Sequence, residues 1–236
     1  LDGLYMAQVF YARYTTQLEN CAHYDDIRTQ FRNVRARMFD PETGLYYGMT
    51  VYYGFGMNGT ALEILTVGNE VRIVGSVQYY EGGGTWQVSG LTYRSMKPDD
   101  PGNIQKLSEG NAASYRLTDA ETFNNATITI VGEEGDQEFP YSQLAMSTSV
   151  EMKGLKVVDV YTTKNEESAS KGAMTLTCKV GNQYISVRTV VLYDENGNLV
   201  TEDAYMGKTI DVKGIADFFS DSYQIKVYSA NSITVH

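Results

Sequence analysis

Val67-Gly68-Asn69-Glu70-Val71-Arg72-Ile73-Val74-Gly75-Ser76-Val77-Gln78-Tyr79-Tyr80 and Met206-Gly207-Lys208-Thr209-Ile210-Asp211-Val212-Lys213-Gly214-Ile215-Ala216-Asp217-Phe218-Phe219 run in one register. Gly68 and Gly75 align with Gly207 and Gly214, an alternating apolar strand lies between them, and an aromatic pair closes each stretch. A short turn follows in both, then Trp86-Gln87-Val88 or Tyr223-Gln224-Ile225. A recurring unit fixes the architecture before any single element does. The recurrence extends backwards, because Leu1-Asp2-Gly3-Leu4-Tyr5-Met6-Ala7-Gln8-Val9-Phe10 parallels Met152-Lys153-Gly154-Leu155-Lys156-Val157-Val158-Asp159-Val160-Tyr161. The first copy then carries 12 extra residues between its first strand and Gly68.

Each copy reads as five strands. In the first, Leu4 to Tyr14 is a strand, and Val34 to Phe39 and Leu45 to Tyr53 are the arms of a hairpin. Asp40-Pro41-Glu42-Thr43-Gly44 turns that hairpin, proline presetting φ and glycine supplying positive φ. Val71 to Tyr80 and Thr85 to Tyr93 form a last hairpin around Glu81-Gly82-Gly83-Gly84. In the second copy, Asp194-Glu195-Asn196-Gly197-Asn198 is the expected middle turn, since Asn-Gly favours a hairpin. Three strands, a short connection and two more strands is the order of a small Greek-key barrel.

This pattern, carried by Asp40-Pro41-Glu42-Thr43-Gly44, Val51-Tyr52 and the glycine–strand–glycine segments, resembles the bacterial extracellular OB-fold modules appended to secreted nucleases and surface proteins. The resemblance implies an all-β chain of two tandem OB-fold-like five-stranded Greek-key barrels joined by a linker containing proline and aspartate. We expect the first barrel over residues 1–97, the linker over 98–112, and the second barrel over 113–236 with an N-terminal extension over 113–151 packed on it. Lys97-Pro98-Asp99-Asp100-Pro101-Gly102-Asn103 holds half of the four prolines and marks the break.

Composition narrows the function. The chain has 236 residues, 42% hydrophobic and 20% charged, which describes a globular protein. Its net charge of −10 opposes general nucleic-acid binding, which is mostly phosphate neutralisation by Lys and Arg. We therefore expect no binding to duplex DNA at ~0.15 M salt. Two cysteines, Cys21 and Cys178, make no disulfide framework. No apolar run approaches the ~18 residues of a membrane span, so no membrane insertion is expected. Nineteen tyrosines beside one tryptophan suit a secreted bacterial β-module. The chain opens on Leu1-Asp2-Gly3 without a methionine, so the expectation is a piece of a larger extracellular or cell-surface protein.

The ligand candidates lie in the first copy. Strand period puts Leu45, Tyr47, Met49, Val51 and Tyr53 on a core face and Tyr46 and Tyr52 on the outer one. Outward tyrosines can stack on sugars or bases, although sheets also favour Tyr for cross-strand packing. Arg28, Arg32 and Arg35 crowd the connection between the first two strands and could hold an anion, although Glu19, Asp25 and Asp26 stand ready to pair with them. In the second copy Ser186, Arg188, Val190 and Leu192 alternate at the outward positions with no tyrosine pair, which favours the first copy as the binding face.

Catalytic and metal signatures are missing. Cys21 and His23 have no third orienting group. Asp194-x-Asn196-x-Asn198 begins like a calcium loop but has Leu199 and Tyr205 where Gly and Glu belong. We expect no catalytic residues, no metal and no cofactor. The resulting expectation is a non-catalytic binding module whose partner is a glycan, peptide or protein. A nucleic-acid-binding accessory of a secreted nuclease and a structural spacer are the alternatives.

Overall fold

The computed structural model describes residues 48–52, 64–73, 76–83, 85–89, 104–130 and 135–236. The chain divides into two compact units, residues 1–113 and 114–236.

In the first unit β1 (Thr50–Val51), β2 (Glu70–Arg72), β3 (Ser76–Tyr80), β4 (Thr85–Ser89) and β5 (Gln105–Ser108) are short. β3 and β4 form the expected hairpin, turning through a single 3-10 turn at Glu81–Gly83. β1 runs parallel to β4, and β2 pairs antiparallel with β5. Ile64 and Ile104 are buried, with Val51, Val71 and Val88 packed against them. Among the described residues these strands make two separate small sheets and no closed barrel. The expected first strand and the Asp40–Gly44 turn lie outside the described residues, as does Gly75.

The second unit is a closed barrel with an extension. Its elements are β6 (Arg116–Leu117), α1 (Ala120–Asn125), β7 (Thr127–Ile130), β8 (Gln137–Pro140), α2 (Tyr141–Leu144), β9 (Ser149–Thr162), β10 (Met174–Val180), β11 (Gln183–Thr189), β12 (Thr209–Phe219), β13 (Ser222–Val227) and β14 (Ile233–Val235). β9 pairs antiparallel with β10, β10 with β11, and β11 runs parallel to β13. β13 pairs antiparallel with β12, and β12 returns to β9, which closes five strands into a mixed barrel. Closure leaves no open edge among those five strands.

Residue order explains both the inside and the closure. Leu176 and Cys178 on β10, Ile185 and Val187 on β11, Ile210 and Val212 on β12, and Ile225 and Val227 on β13 alternate inward and are buried. On β9 the phase changes: Val150 and Met152 point in, then Leu155 and Val157. Gly154, at φ +67°, supplies the extra residue of a bulge between them. Its N–H donates to Asp211 Oδ1 at 2.8 Å, which pins the bulge. That bond, with the nearby His236, holds the Asp211 carboxyl below the usual carboxylate range. The bend lets one 14-residue strand pair with β12 along its first half and β10 along its second.

The extension is part of the core. Asp119 caps α1 by accepting from the Thr122 N–H at 2.7 Å. This buries Ala120 and Phe123 in the same cluster as the barrel interior. Phe123 meets Tyr141 edge-on, with centroids 6.4 Å apart. Asn124 Nδ2 donates to the Tyr184 carbonyl, which fixes α1 at the β10–β11 turn.

Three features of the repeat recur in the two units. Gly68 and Gly207 both have positive φ, +93° and +74°. Thr50↔Gln87 and Val51↔Val88 pair in parallel as Ser186↔Gln224 and Val187↔Ile225 do. β5 pairs with β2 as β14 pairs with β12.

Two expectations need correction. The Asp194–Asn198 turn forms, with Asp194 Oδ1 accepting from the Asn196 and Asn198 N–H groups at 2.9 and 2.8 Å, but it sits in the β11–β12 connection. The turn joining the second and third barrel strands is Gly181-Asn182, with Gly181 at φ +57°. An Asn-Gly signal specifies a turn locally and does not say which strands it joins. Leu192, expected outward, is fully buried because β11 ends at Thr189 and strand period no longer applies beyond it.

Cys178 sits inside the barrel, where burial pushes its thiol up to about 12. In a Cys21→Ser background the native chain should not react with a thiol reagent at pH 8, because the thiolate is the nucleophile. Reaction should follow on unfolding, and rapid native labelling would place Cys178 outside the core.

Candidate functional site

The ladder registers line up the outward side chains in rows across the barrel wall. One row is Tyr161, Thr175, Arg188 and Lys226 on β9, β10, β11 and β13. The next is Thr177, Ser186, Gln224 and Asp217, ending on β12. Neighbours within a row stand on adjacent strands, ~4.8 Å apart.

Much of this face forms the floor of a cleft of about 640 Å³. Thr163, Ala169 and Ser170 of the β9–β10 connection and Ser220 of the β12–β13 turn also line it. That turn is two residues long, Ser220 and Asp221, at φ +51° and +60°. Positive φ at both central positions is the type I′ requirement, met here without glycine. A cleft of this size lies within the ~300–1,000 Å³ range of small-molecule sites.

Its chemistry is hydroxyl-rich with few charges. Thr163, Thr175, Ser186, Ser220 and Ser222 line it, with Arg188, Lys226 and Asp217 as the charged groups. Arg188 is half-buried and donates from Nη1 to Thr175 Oγ1 at 2.9 Å and from Nη2 to Thr163 Oγ1 at 3.0 Å. Gln224 is buried and donates from Nε2 to Asp217 Oδ2 at 2.8 Å. Lys226 Nζ lies 5.6 Å from the Tyr228 ring centroid. Tyr161 on β9 and Phe219 on β12 both line the cleft and are 62% and 71% exposed. Phe218, the other half of the aromatic pair, packs on Tyr223 at 4.9 Å.

Of the residues expected to bind, Tyr46, Arg28, Arg32 and Arg35 lie outside the described residues. Tyr52 follows β1, 46% exposed, and its N–H donates to the Val88 carbonyl at 2.8 Å. The outward placement of Ser186 and Arg188 agrees with strand period. Sequence reasoning passed over them because it looked for paired tyrosines along one strand. The exposed rings here come instead from the ends of two strands, β9 and β12. Phe219 had a signal, its place in the repeated aromatic pair, but that pair reads equally as packing.

Among the described residues no group of three His, Cys, Asp or Glu side chains is placed to hold a metal, and no helix is long and apolar enough to cross a membrane. Residues 1–54 match Glycosyl Hydrolase Family 88. That stretch contains the Asp40–Gly44 turn, Tyr46, Tyr52 and the Arg28, Arg32 and Arg35 cluster. No match was found among curated proteins.

Proposed function

We propose that residues 114–236 are a non-catalytic OB-fold module that binds glycans in the cleft over β10, β11 and β13. The barrel order, with its third and fifth strands parallel, supports the OB assignment. In that fold the second and third strands and the connections flanking them commonly take oligosaccharides and oligonucleotides. The recurrence of the parallel pair and of the β2–β5 pairing in the first unit supports a tandem arrangement.

The observation that carries the glycan reading is that the exposed rings of Tyr161 and Phe219 line one cleft with hydroxyl and amide groups. Sugars offer apolar ring faces and many hydroxyls, and this surface offers rings and hydrogen-bonding partners to match. The −10 charge of the chain disfavours a polyphosphate ligand. The match of residues 1–54 to a glycosyl hydrolase family agrees with a carbohydrate setting. Asp217 as the one carboxylate of the lining among the described residues supports a binding role over a cleaving one. Glycoside hydrolysis canonically needs two.

A glycan array read with the full chain tests this. Tyr161→Ala combined with Phe219→Ala should weaken binding of the array hits at least about tenfold, ~1.4 kcal/mol. The melting temperature should stay unchanged, since both rings are exposed. Equal binding by wild type and double variant would remove the cleft from consideration. The match over residues 1–54 also favours a second reading, in which the chain carries part of a glycosidase. Release of reducing sugar by the purified chain would support that reading.

A further inference from the structure

We infer that the outer face of the β1–β4–β3 sheet in the first unit is a second glycan site, weaker than the cleft and suited to uncharged sugars, an inference that rests on the glycan-binding reading above. The ladder registers match position by position. Thr50 pairs with Gln87 and Gln87 with Gln78, as Ser186 pairs with Gln224 and Gln224 with Asp217 in the cleft. At the hairpin end Tyr80 pairs with Thr85, as Phe219 pairs with Ser222. Val51 and Val88 pack on the core of the first unit, so strand period turns Thr50, Gln87 and their partners Gln78 and Tyr80 to the opposite face.

Gln87 is the group that asks for a ligand. It and Gln224 hold the same place in the repeat, and each is 7% exposed. Asp217 accepts from the Gln224 amide. In the first unit Gln78 stands where Asp217 does, and among the described residues no group hydrogen-bonds the Gln87 side-chain amide. A polar group so deeply buried and left unmatched is costly. A sugar hydroxyl, which donates and accepts, can match both ends of that amide. Tyr80 supplies the ring, 54% exposed. It lies over Gly82, where a Cβ would stand 2.8 Å from the Tyr80 hydroxyl and 2.9 Å from Cζ. The bare glycine therefore seats the ring before a ligand arrives, which lowers the entropic cost of binding. This face also differs from the cleft in charge: Tyr52, Ser89 and Gln78 take the places of Arg188, Lys226 and Asp217. An uncharged sugar leaves no ion unpaired there. Three short strands in place of a five-stranded wall offer fewer contacts, so the site is the weaker one.

The test uses the isotope-labelled full chain carrying Tyr161→Ala and Phe219→Ala, in which the cleft is disabled. Its amide chemical shifts are followed while neutral hexasaccharides of glucose, xylose and mannose are titrated in. At least one sugar should move the amides of Gln78, Tyr80, Thr85 and Gln87 saturably while those of Thr175, Ser186 and Gln224 stay still. Adding Tyr80→Ala should weaken that binding about fivefold or more, the loss of one stacked ring. Adding Gln87→Leu should weaken it to a similar degree and leave the melting temperature unchanged or higher, because an unmatched amide does not support the fold. If none of the three sugars moves the first-unit amides, the second site is overturned. The cleft reading then still stands where the wild-type barrel amides respond to a glycan from the array. Affinity that survives both added substitutions would also overturn the site, and a lower melting temperature for Gln87→Leu would overturn the role given to its amide. A wild-type chain in which no glycan moves either set of amides would overturn both this inference and the reading it rests on.

Discussion

Gly214→Ala should destabilise the C-terminal unit by about 3 kcal/mol, the upper part of the range for overpacking a closed core. Gly214 lies on β12 where the strand leaves β9 for β13: it pairs with Val150, and the next residue, Ile215, pairs with both Ser149 and Lys226. A Cβ there would stand 2.6 Å from the Lys226 carbonyl oxygen and 2.6 Å from Ile225 Cγ2. The side chain could turn away, but the carbonyl belongs to the backbone of β13, so relief requires the two strands to separate where the barrel closes. The corresponding fall in melting temperature is roughly 10 °C for a unit of this size. Gly207→Ala makes a useful contrast. Its Cβ would meet nothing within 4 Å, so only the cost of positive φ applies, ~1 kcal/mol. Labelling of Cys178 reports the opening of this unit specifically. A Gly214→Ala chain whose Cys178 stays as protected as in wild type would contradict the close approach.

Phe123→Ala should cost about 3–5 kcal/mol, the usual price of emptying a fully buried aromatic position. The effect is informative because Phe123 precedes the barrel in sequence. It is fully buried in one cluster with Leu155, Val187 and Ile225, so the extension and the five strands share a core. Calorimetry on the full chain should show the C-terminal transition moving as a single unit. A separate, early transition for the extension with the barrel transition unchanged would mean that residues 114–148 only rest on the surface. Asp119→Ala, which removes the α1 cap, should act in the same direction by ~1 kcal/mol.

The second unit was legible because its strands obey period two and its turns carry glycine. Gly214 shows in the sequence as a glycine recurring with Gly75, and the Ile225 and Lys226 contacts supply the reason for it. The Gly154 bulge was less legible. Nothing in Glu151-Met152-Lys153-Gly154-Leu155 says that the inward phase changes there, because the change is imposed by closure onto β12. α1 escaped notice because six residues give too little period to stand out, although Asp119 is a good cap. In the site, alternation placed Ser186 and Arg188 outward correctly. The cleft also takes Thr163, Ala169 and Ser170 from the β9–β10 connection, and strand patterns do not encode where such a connection goes. Tyr161 and Phe219 are distant in sequence and meet the same cleft only through the β9–β10–β11–β13–β12 order.

We propose the wall formed by β10, β11 and β13 as the ligand surface. Amide chemical shifts of the isotope-labelled full chain, followed while a glycan from the array is titrated in, test it most directly. Saturable shifts are expected at Thr175, Ser186, Arg188, Gln224 and Lys226 and in the Ser220–Asp221 turn. Shifts confined to Thr50–Tyr52 and Thr85–Ser89, with those barrel amides unmoved, would contradict it and return the binding face to the first copy of the repeat.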